Sequence, residues 1–284
     1  MADVIRFTKM HGVGNDYIYV EEDKYRLDNP SELAVKWSKA HFGIGADGLV
    51  LIGSSEDADF SMKMFNADGS EGWMCGNAVR CIGKYVYERG LHDSTVVRLD
   101  TRSGIKELNL NVIDGEVVDV AVDMGVPAIG ETLIIDAEGR AFMGLAVSMG
   151  NPHFVIFVDD IDTIDVAKYG AVLEHNHNFR HGANIEFVSV LAPDKLRVRV
   201  WERGSGITMA CGTGACASAV AAIHMGKTTV GDDDGDGDGS TDSGGEITVQ
   251  MDGGELSICW DEEDTGDVFM TGGATFVFDG TITI

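Results

Sequence analysis

Apolar and polar residues alternate with period two along much of this chain. Phe60-Ser61-Met62-Lys63-Met64-Phe65 and Leu196-Arg197-Val198-Arg199-Val200-Trp201 are the clearest runs, and each predicts a strand with one buried face. Val96 to Thr101, Ile105 to Val112, Val117 to Asp123, Phe154 to Val158, Ile185 to Leu191, Leu256 to Trp260 and Ala274 to Phe278 read the same way. Glycine and aspartate punctuate them at short intervals. Spacing this tight favours a β-rich α+β fold over a series of long βαβ units. Two helices interrupt the pattern, from about Gly76 to Arg89 and from about Gly212 to Met225, each followed by a glycine suited to the left-handed C′ position. The second is built of small or apolar residues on every face, which predicts burial all round. Weaker helices are expected from about Ser31 to His41 and from about Thr163 to Leu173.

Both main helices open on the same signal. Met74-Cys75-Gly76-Asn77-Ala78 recurs as Ala210-Cys211-Gly212-Thr213-Gly214, 136 residues later. At that offset Gly14-Asn15 falls on Gly150-Asn151, Leu49 on Ile185, and Phe65-Asn66 on Trp201-Glu202. One constant offset near half the length predicts a duplicated, pseudo-symmetric protein with one such cysteine per half. Two equivalent thiols acting on one carbon suit the transfer of a proton from one face to the other.

Composition narrows the class. The 284 residues, 44% of them hydrophobic, are enough for two ordinary domains with real cores. No apolar run approaches the ~20 residues of a membrane span, and the first ten residues do not read as a secretory signal. Five cysteines, an odd number, read as reduced thiols in a cytoplasmic protein. The net charge of −26 speaks against nucleic acid and anionic membranes as partners and reads as a solvated shell suited to a high-salt cytoplasm. The stretch 231–245, GDDDGDGDGSTDSGG, reads as a mobile acidic loop. It imitates a calcium loop from Asp232, but its twelfth position is Ser243 where a bidentate glutamate is needed.

A thiol is a weak base at neutral pH, and a helix N-terminus makes its thiolate more accessible. Cys75 and Cys211 sit where such N-termini are expected. Gly76 and Gly212 clear the way for a ligand carboxylate to reach the same N–H groups, and Asn77 and Thr213 add side-chain donors. Cys81, Cys216 and Cys259 read as buried core thiols. No metal is expected: there is no Cys-x-x-Cys and no His-Glu-x-x-His, and His175, His177 and His181 read as a polar loop. Asn15, Asn66, Asn151 and Asn184 lie in turns beside strands, where an asparagine by itself usually serves the local backbone. Glu202-Arg203 closes a strand before Gly204, and the arginine is a candidate carboxylate clamp.

At these residues the chain resembles the diaminopimelate epimerases. The resemblance rests on Thr8-Lys9-Met10-His11-Gly12-Val13-Gly14-Asn15-Asp16-Tyr17, Phe65-Asn66-Ala67-Asp68-Gly69-Ser70-Glu71, Met74-Cys75-Gly76-Asn77, Gly150-Asn151-Pro152-His153, and Trp201-Glu202-Arg203-Gly204 leading to Ala210-Cys211-Gly212-Thr213-Gly214-Ala215-Cys216. It implies an enzyme without a cofactor that interconverts LL- and meso-2,6-diaminopimelate in the route to lysine. Cys75 and Cys211 would be the two bases. Asn15, Asn66, Asn151, Asn184, Glu202 and Arg203, with the backbone of Gly76, Asn77, Gly212 and Thr213, would bind substrate. It also implies a homodimer and two mirror-related domains, each a sheet or barrel wrapped round a central helix, with the site in the cleft between them. The first would hold residues 1–123 and 273–284, the second 124–272. Gly48 stands where some family members carry a substrate-contacting glutamine, and Ala78 where glycine is common, so the glutamine contact is not carried over. A racemase of the same architecture or a non-catalytic amino-acid-binding protein are the alternatives; the former has no distal head to hold, and the latter would tolerate loss of either cysteine.

Overall fold

The alternating segments form strands, and both cysteine motifs open helices. The computed structural model describes residues 4–228, 245–262 and 264–284. The acidic segment 231–245, with its calcium-like pattern, lies outside them except for Gly245. The chain divides into two units, residues 1–122 with 272–284, and residues 123–271.

In the first unit the chain runs β1 (Val4–Gly12), β2 (Asn15–Glu21), α1 (Pro30–Ser38), β3 (Gly48–Gly53), β4 (Phe60–Asn66), β5 (Glu71–Gly72), α2 (Gly76–Glu88), β6 (Val96–Thr101), β7 (Gly104–Ile113) and β8 (Glu116–Asp123). β1 and β2 form a hairpin in which Gly12 pairs with Asn15 across Val13 and Gly14, both at positive φ. β2 and β3 are parallel, β3 and β4 antiparallel, and β4 and β6 parallel, leading into the β6–β7–β8 meander. β2 and β3 are buried on both faces. Ile18, Val20, Leu49 and Leu51 pack with Ala34 and Trp37 of α1, while Tyr19 on the other face reaches the Ala78 carbonyl of α2 at 3.4 Å. α2 is thus the central helix of this unit, packed on β1, β2 and β7.

The second unit repeats the plan: β9 (Ala128–Ala137), β10 (Arg140–Ser148), β11 (Pro152–Phe157), α3 (Val166–Glu174), β12 (Asn184–Ala192), β13 (Lys195–Glu202), β14 (Gly206–Ile207), α4 (Gly212–His224), β15 (Glu246–Met251), β16 (Gly254–Trp260) and β17 (Val268–Gly272). Pairing follows the same sequence, with β11–β12 and β13–β15 parallel and the rest of the series antiparallel. α1 and α3, and α2 and α4, begin and end at the 136-residue offset. α4 is buried from Gly212 through Ala222 apart from Thr213, as its small-residue composition demands, with β10 to β13, β15 and β16 against it. The last strand, β18 (Thr275–Thr283), returns to the first unit and pairs antiparallel with β1.

Two helix boundaries differ from the expectation. α1 ends at Ser38, three residues short of His41, because Lys39 is extended and the chain folds back so that Ile44 and Gly45 donate to the Trp37 carbonyl. α3 starts three residues later than expected, at Val166, because the Asp165 carboxylate caps the Lys168 N–H at 3.0 Å.

Candidate active site

Each central helix begins at its cysteine. Cys75 and Cys211 are the N-cap residues of α2 and α4, both extended, and their carbonyls accept the first helical bonds from Val79 at 3.0 Å and Ala215 at 2.9 Å. The N–H groups of the first turn have no helical acceptor, so each start is a place for an anion.

In the first unit, Asn15 stands at the head of β2, directly after the β1–β2 turn. Its Oδ1 accepts from Cys75 Sγ at 3.2 Å and from Asn77 Nδ2 at 3.3 Å. Its Nδ2 donates to Asp47 at 2.7 Å, and the Asp16 N–H shares that carboxylate at 3.0 Å. Loss of water around its carboxylate holds Asp47 above the usual carboxylate range, with the Asp16 N–H and the Asn15 amide pulling the other way. Beneath the helix start lies Arg80, fully buried, donating to Asn77 Oδ1 at 2.8 Å and to the Gly76 carbonyl at 3.2 Å. Gly12 makes room for it: a Cβ there would lie 3.0 Å from the guanidinium. Deeper still, burial pushes the Cys81 thiol up to about 11 and the Tyr19 hydroxyl well above its ordinary value. Asn66, at the end of β4, is tied locally to Ser70 Oγ at 3.0 Å.

In the second unit, Cys211 Sγ accepts from the Gly214 N–H at 3.4 Å and lies 3.5 Å from Thr213 Oγ1. Asn151 donates to Thr213 Oγ1 at 3.3 Å, while its Oδ1 lies 3.1 Å from His153 Nε2. His153 Nδ1 is 2.7 Å from Glu186 Oε1, and both side chains are wholly buried under the start of α4. Burial drives the Cys211 thiol well above its ordinary pKa; the carboxylates of Glu202 and Glu186 add to this, and Thr213 and the Gly214 N–H oppose it.

Three further residues of the expected set, Asn184, Glu202 and Arg203, lie at the start of β12 and the end of β13. Asn184 Oδ1 accepts from the Arg203 N–H at 2.9 Å, and its Nδ2 donates to the Pro152 carbonyl at 3.3 Å. Glu202 receives the Thr208 hydroxyl. Arg203 donates to the His181 carbonyl at 3.4 Å. Glu174, buried at the end of α3, holds this corner by accepting from Trp201 Nε1 at 2.7 Å and from the Gly204 N–H at 2.9 Å. The structure thus joins Asn15, Cys75 and Asn77 in one unit, and Asn151, Cys211 and Thr213 in the other, with Asn184 fixed to Arg203. Sequence reasoning did not find Arg80, Asp47, Glu174, His153 or Glu186. Glu186 carried one signal, a charge inside an apolar strand.

Gly48 is a packing requirement. A Cβ there would meet the Phe65 carbonyl at 2.2 Å and the Tyr17 ring at 2.9 Å. We expect Gly48→Ala to cost about 1–3 kcal/mol through overpacking, read as a lowered unfolding midpoint in urea. An unchanged midpoint would show that β3 can move away from β4.

The family model described as Diaminopimelate epimerase matches residues 7–129 and 145–277. A diaminopimelate epimerase of Parabacteroides distasonis is 57% identical, covering 100% of both chains. One from Phocaeicola vulgatus is 53% identical over 99% of each. Among solved structures, a PhzF-family phenazine biosynthesis protein of Bacillus anthracis superimposes with a TM-score of 0.77 at 17% identity, over 99% of this chain and 100% of that one. A hydroxyproline epimerase of Agrobacterium vitis gives 0.75 at 14% identity, over 99% and 93%. At such identities these two establish a shared fold.

Proposed function

The chain belongs to the diaminopimelate epimerase family and interconverts LL- and meso-2,6-diaminopimelate, a step of lysine biosynthesis, and we propose that Cys75 and Cys211 are the two groups that move the proton. The observation that carries this is the repeated geometry: each central helix starts at a cysteine, with an asparagine from the β1–β2 hairpin or its counterpart β10–β11 bound to that cysteine or to its neighbour two residues on.

The chemistry is a two-base inversion. A thiolate removes the α-proton, and the C–H electron pair is held in the adjacent carboxylate as an enolate. The other cysteine then gives its S–H proton to the opposite face, ending as thiolate while the first ends as thiol. Epimerisation of the opposite isomer runs the same steps backwards. The N–H groups of Gly76, Asn77, Gly212 and Thr213 receive the developing charge on the carboxylate, and no pyridoxal ring is needed in this reading. A base that takes a proton from carbon benefits from high proton affinity, so the burial that raises the Cys211 thiol also makes its thiolate a strong base. Asn15, Asn66, Asn151 and Asn184 hold substrate amino and carboxylate groups. Glu202 and Arg203, of opposite charge on adjacent residues, suit the distal ammonium and carboxylate, and the first unit has Asn66 and Ala67 at the matching positions. The homodimer, the cytoplasmic location and a high-salt habitat belong to the same proposal.

With LL-diaminopimelate in D2O, reductant, high salt and no pyridoxal phosphate, we expect meso product carrying deuterium at one α-carbon only. Mass spectrometry and chiral separation read both. Meso product that retains the original hydrogen would rule out an exchanging thiol as the donor.

A further inference from the structure

The amide at the heart of the first unit is fixed by charges at both ends of a chain. Arg80 can only donate, so its 2.8 Å bond makes the Asn77 oxygen the acceptor and turns Asn77 Nδ2 towards Asn15. An ionised Asp47 can only accept, so its 2.7 Å bond makes Asn15 Nδ2 the donor. These constraints agree, and together they leave Asn15 Oδ1 facing Cys75 Sγ. We propose that Arg80 and Asp47 are positioning residues for this reaction, clamping the Asn15 carboxamide from its two ends so that its carbonyl oxygen, and not its NH2, lies against the Cys75 sulfur. This deepens the reading of Cys75 as one of the two bases and rests on it.

The orientation has a chemical consequence. A carbonyl oxygen accepts the S–H of a thiol and repels a thiolate, whereas an NH2 would favour the thiolate. The clamp therefore sets how readily Cys75 holds its proton. The other unit lacks it: Cys216 occupies the position equivalent to Arg80 and Ala183 that equivalent to Asp47, and the amide of Asn151 turns its NH2 to Thr213 and its oxygen to His153. Tyr19 and Cys81 lie within electrostatic reach of Cys75, but burial keeps both protonated at neutral pH. Lys9, paired with Asp16 at 2.5 Å, neutralises the carboxylate next to Asp47.

The test uses the full chain and iodoacetamide, with each cysteine followed by peptide mass spectrometry. The readout is the Cys75 alkylation rate at about pH 7 divided by that at about pH 10, which reports the thiolate fraction independently of access. Cys259, half-buried in the other unit, is the internal reference. Asp47→Asn is isosteric, removes the charge that fixes the Asn15 Nδ2 as donor, and frees the Asn15 amide to rotate. We expect its Cys75 ratio to rise about fivefold, the size of one exchanged hydrogen bond, with the Cys259 ratio unmoved and kcat reduced more than KM. Arg80→Lys, which keeps the charge but not the fork, should act in the same direction when its circular dichroism matches that of the unsubstituted protein. A Cys75 ratio unchanged in Asp47→Asn overturns the clamp whatever Arg80→Lys does. The ratio does not depend on turnover, so it separates failure of the clamp from failure of the epimerase reading, which the D2O experiment addresses.

Discussion

Cys211→Ala protein, given LL- and meso-diaminopimelate separately in D2O, should wash deuterium into one isomer without inverting it, and should form the other isomer at a rate reduced by about 10²–10⁴-fold. The reasoning follows from having one base left. Cys75 can still remove the α-proton of the isomer that presents it, exchange that proton with solvent as a thiol, and return a deuteron to the same face. No donor stands on the opposite face, so configuration is retained. The other isomer presents its hydrogen to the missing thiol and should neither exchange nor invert. Cys75→Ala should give the mirror outcome, exchange of the second isomer alone, and the double variant should lose both exchanges. Proton NMR of the α-positions reads exchange, and chiral chromatography reads inversion. Exchange of both isomers by a single-cysteine variant would mean that some other group serves as the second base. Because the two thiols act as a unit in turnover, the double variant should epimerise little worse than either single one.

The second large effect concerns a single methyl group. Gly214→Ala would place a Cβ 2.7 Å from Glu186 Oε1 and 3.3 Å from Cys211 Sγ. Glu186 cannot yield cheaply, because it is wholly buried and bound to His153, and its Oε2 already has no hydrogen-bond partner. We expect a loss of about 1–3 kcal/mol in stability from overpacking. Thermal unfolding should then occur several degrees lower, at about 2–4 °C per kcal/mol for a chain of this size class. Displacement of Cys211 should cost epimerisation about 10²-fold. The duplication supplies the control. The equivalent of Gly214 in the first unit is Ala78, which already carries a Cβ, and Val50 holds the position equivalent to Glu186. Ala78→Gly should therefore cost no more than about 1 kcal/mol of helix propensity. A Gly214→Ala protein as stable as the original and active within a factor of two would mean that the His153–Glu186 pair moves freely, and that it does not set the environment of Cys211.

The contrast between these two positions explains what could be read from the sequence. The two cysteines, the helix starts and the C′ glycines are local signals repeated at a fixed spacing, and Gly90 and Gly226 do stand at positive φ after their helices. The small-residue composition of α4 carried its burial directly. The buried polar groups were not legible for a different reason. β12 is buried on both faces over its first six residues, so Glu186 sits in a run without alternation that could have marked its side. Arg80 lies in the middle of a helix, where a basic residue ordinarily faces water, and only the tertiary wrap of β1 over α2 puts it inside. The sequence pattern also does not predict β1, β2, β3, β9, β10, β15 and β17 or the two-residue β5 and β14; among these, β3 is apolar between its terminal glycines, and an internal glycine interrupts β9 and β10. Glu174 acts across 27 positions on Trp201, a contact that depends on α3 packing on β13.

The return of β18 to pair with β1 orders events at the ribosome. The second unit is one continuous stretch and has all its strands once β17 has emerged, at Gly272. The first unit waits for residues 273–283, which supply the partner strand of β1, the carboxylate of Asp279 for Thr8 and Arg89, and the Gly273 carbonyl for Arg80. A growing chain thus has the strands of the Cys211 half first and can complete the Cys75 half only once β18 has emerged, so a chain cut before Thr275 leaves β1 with an unpaired edge.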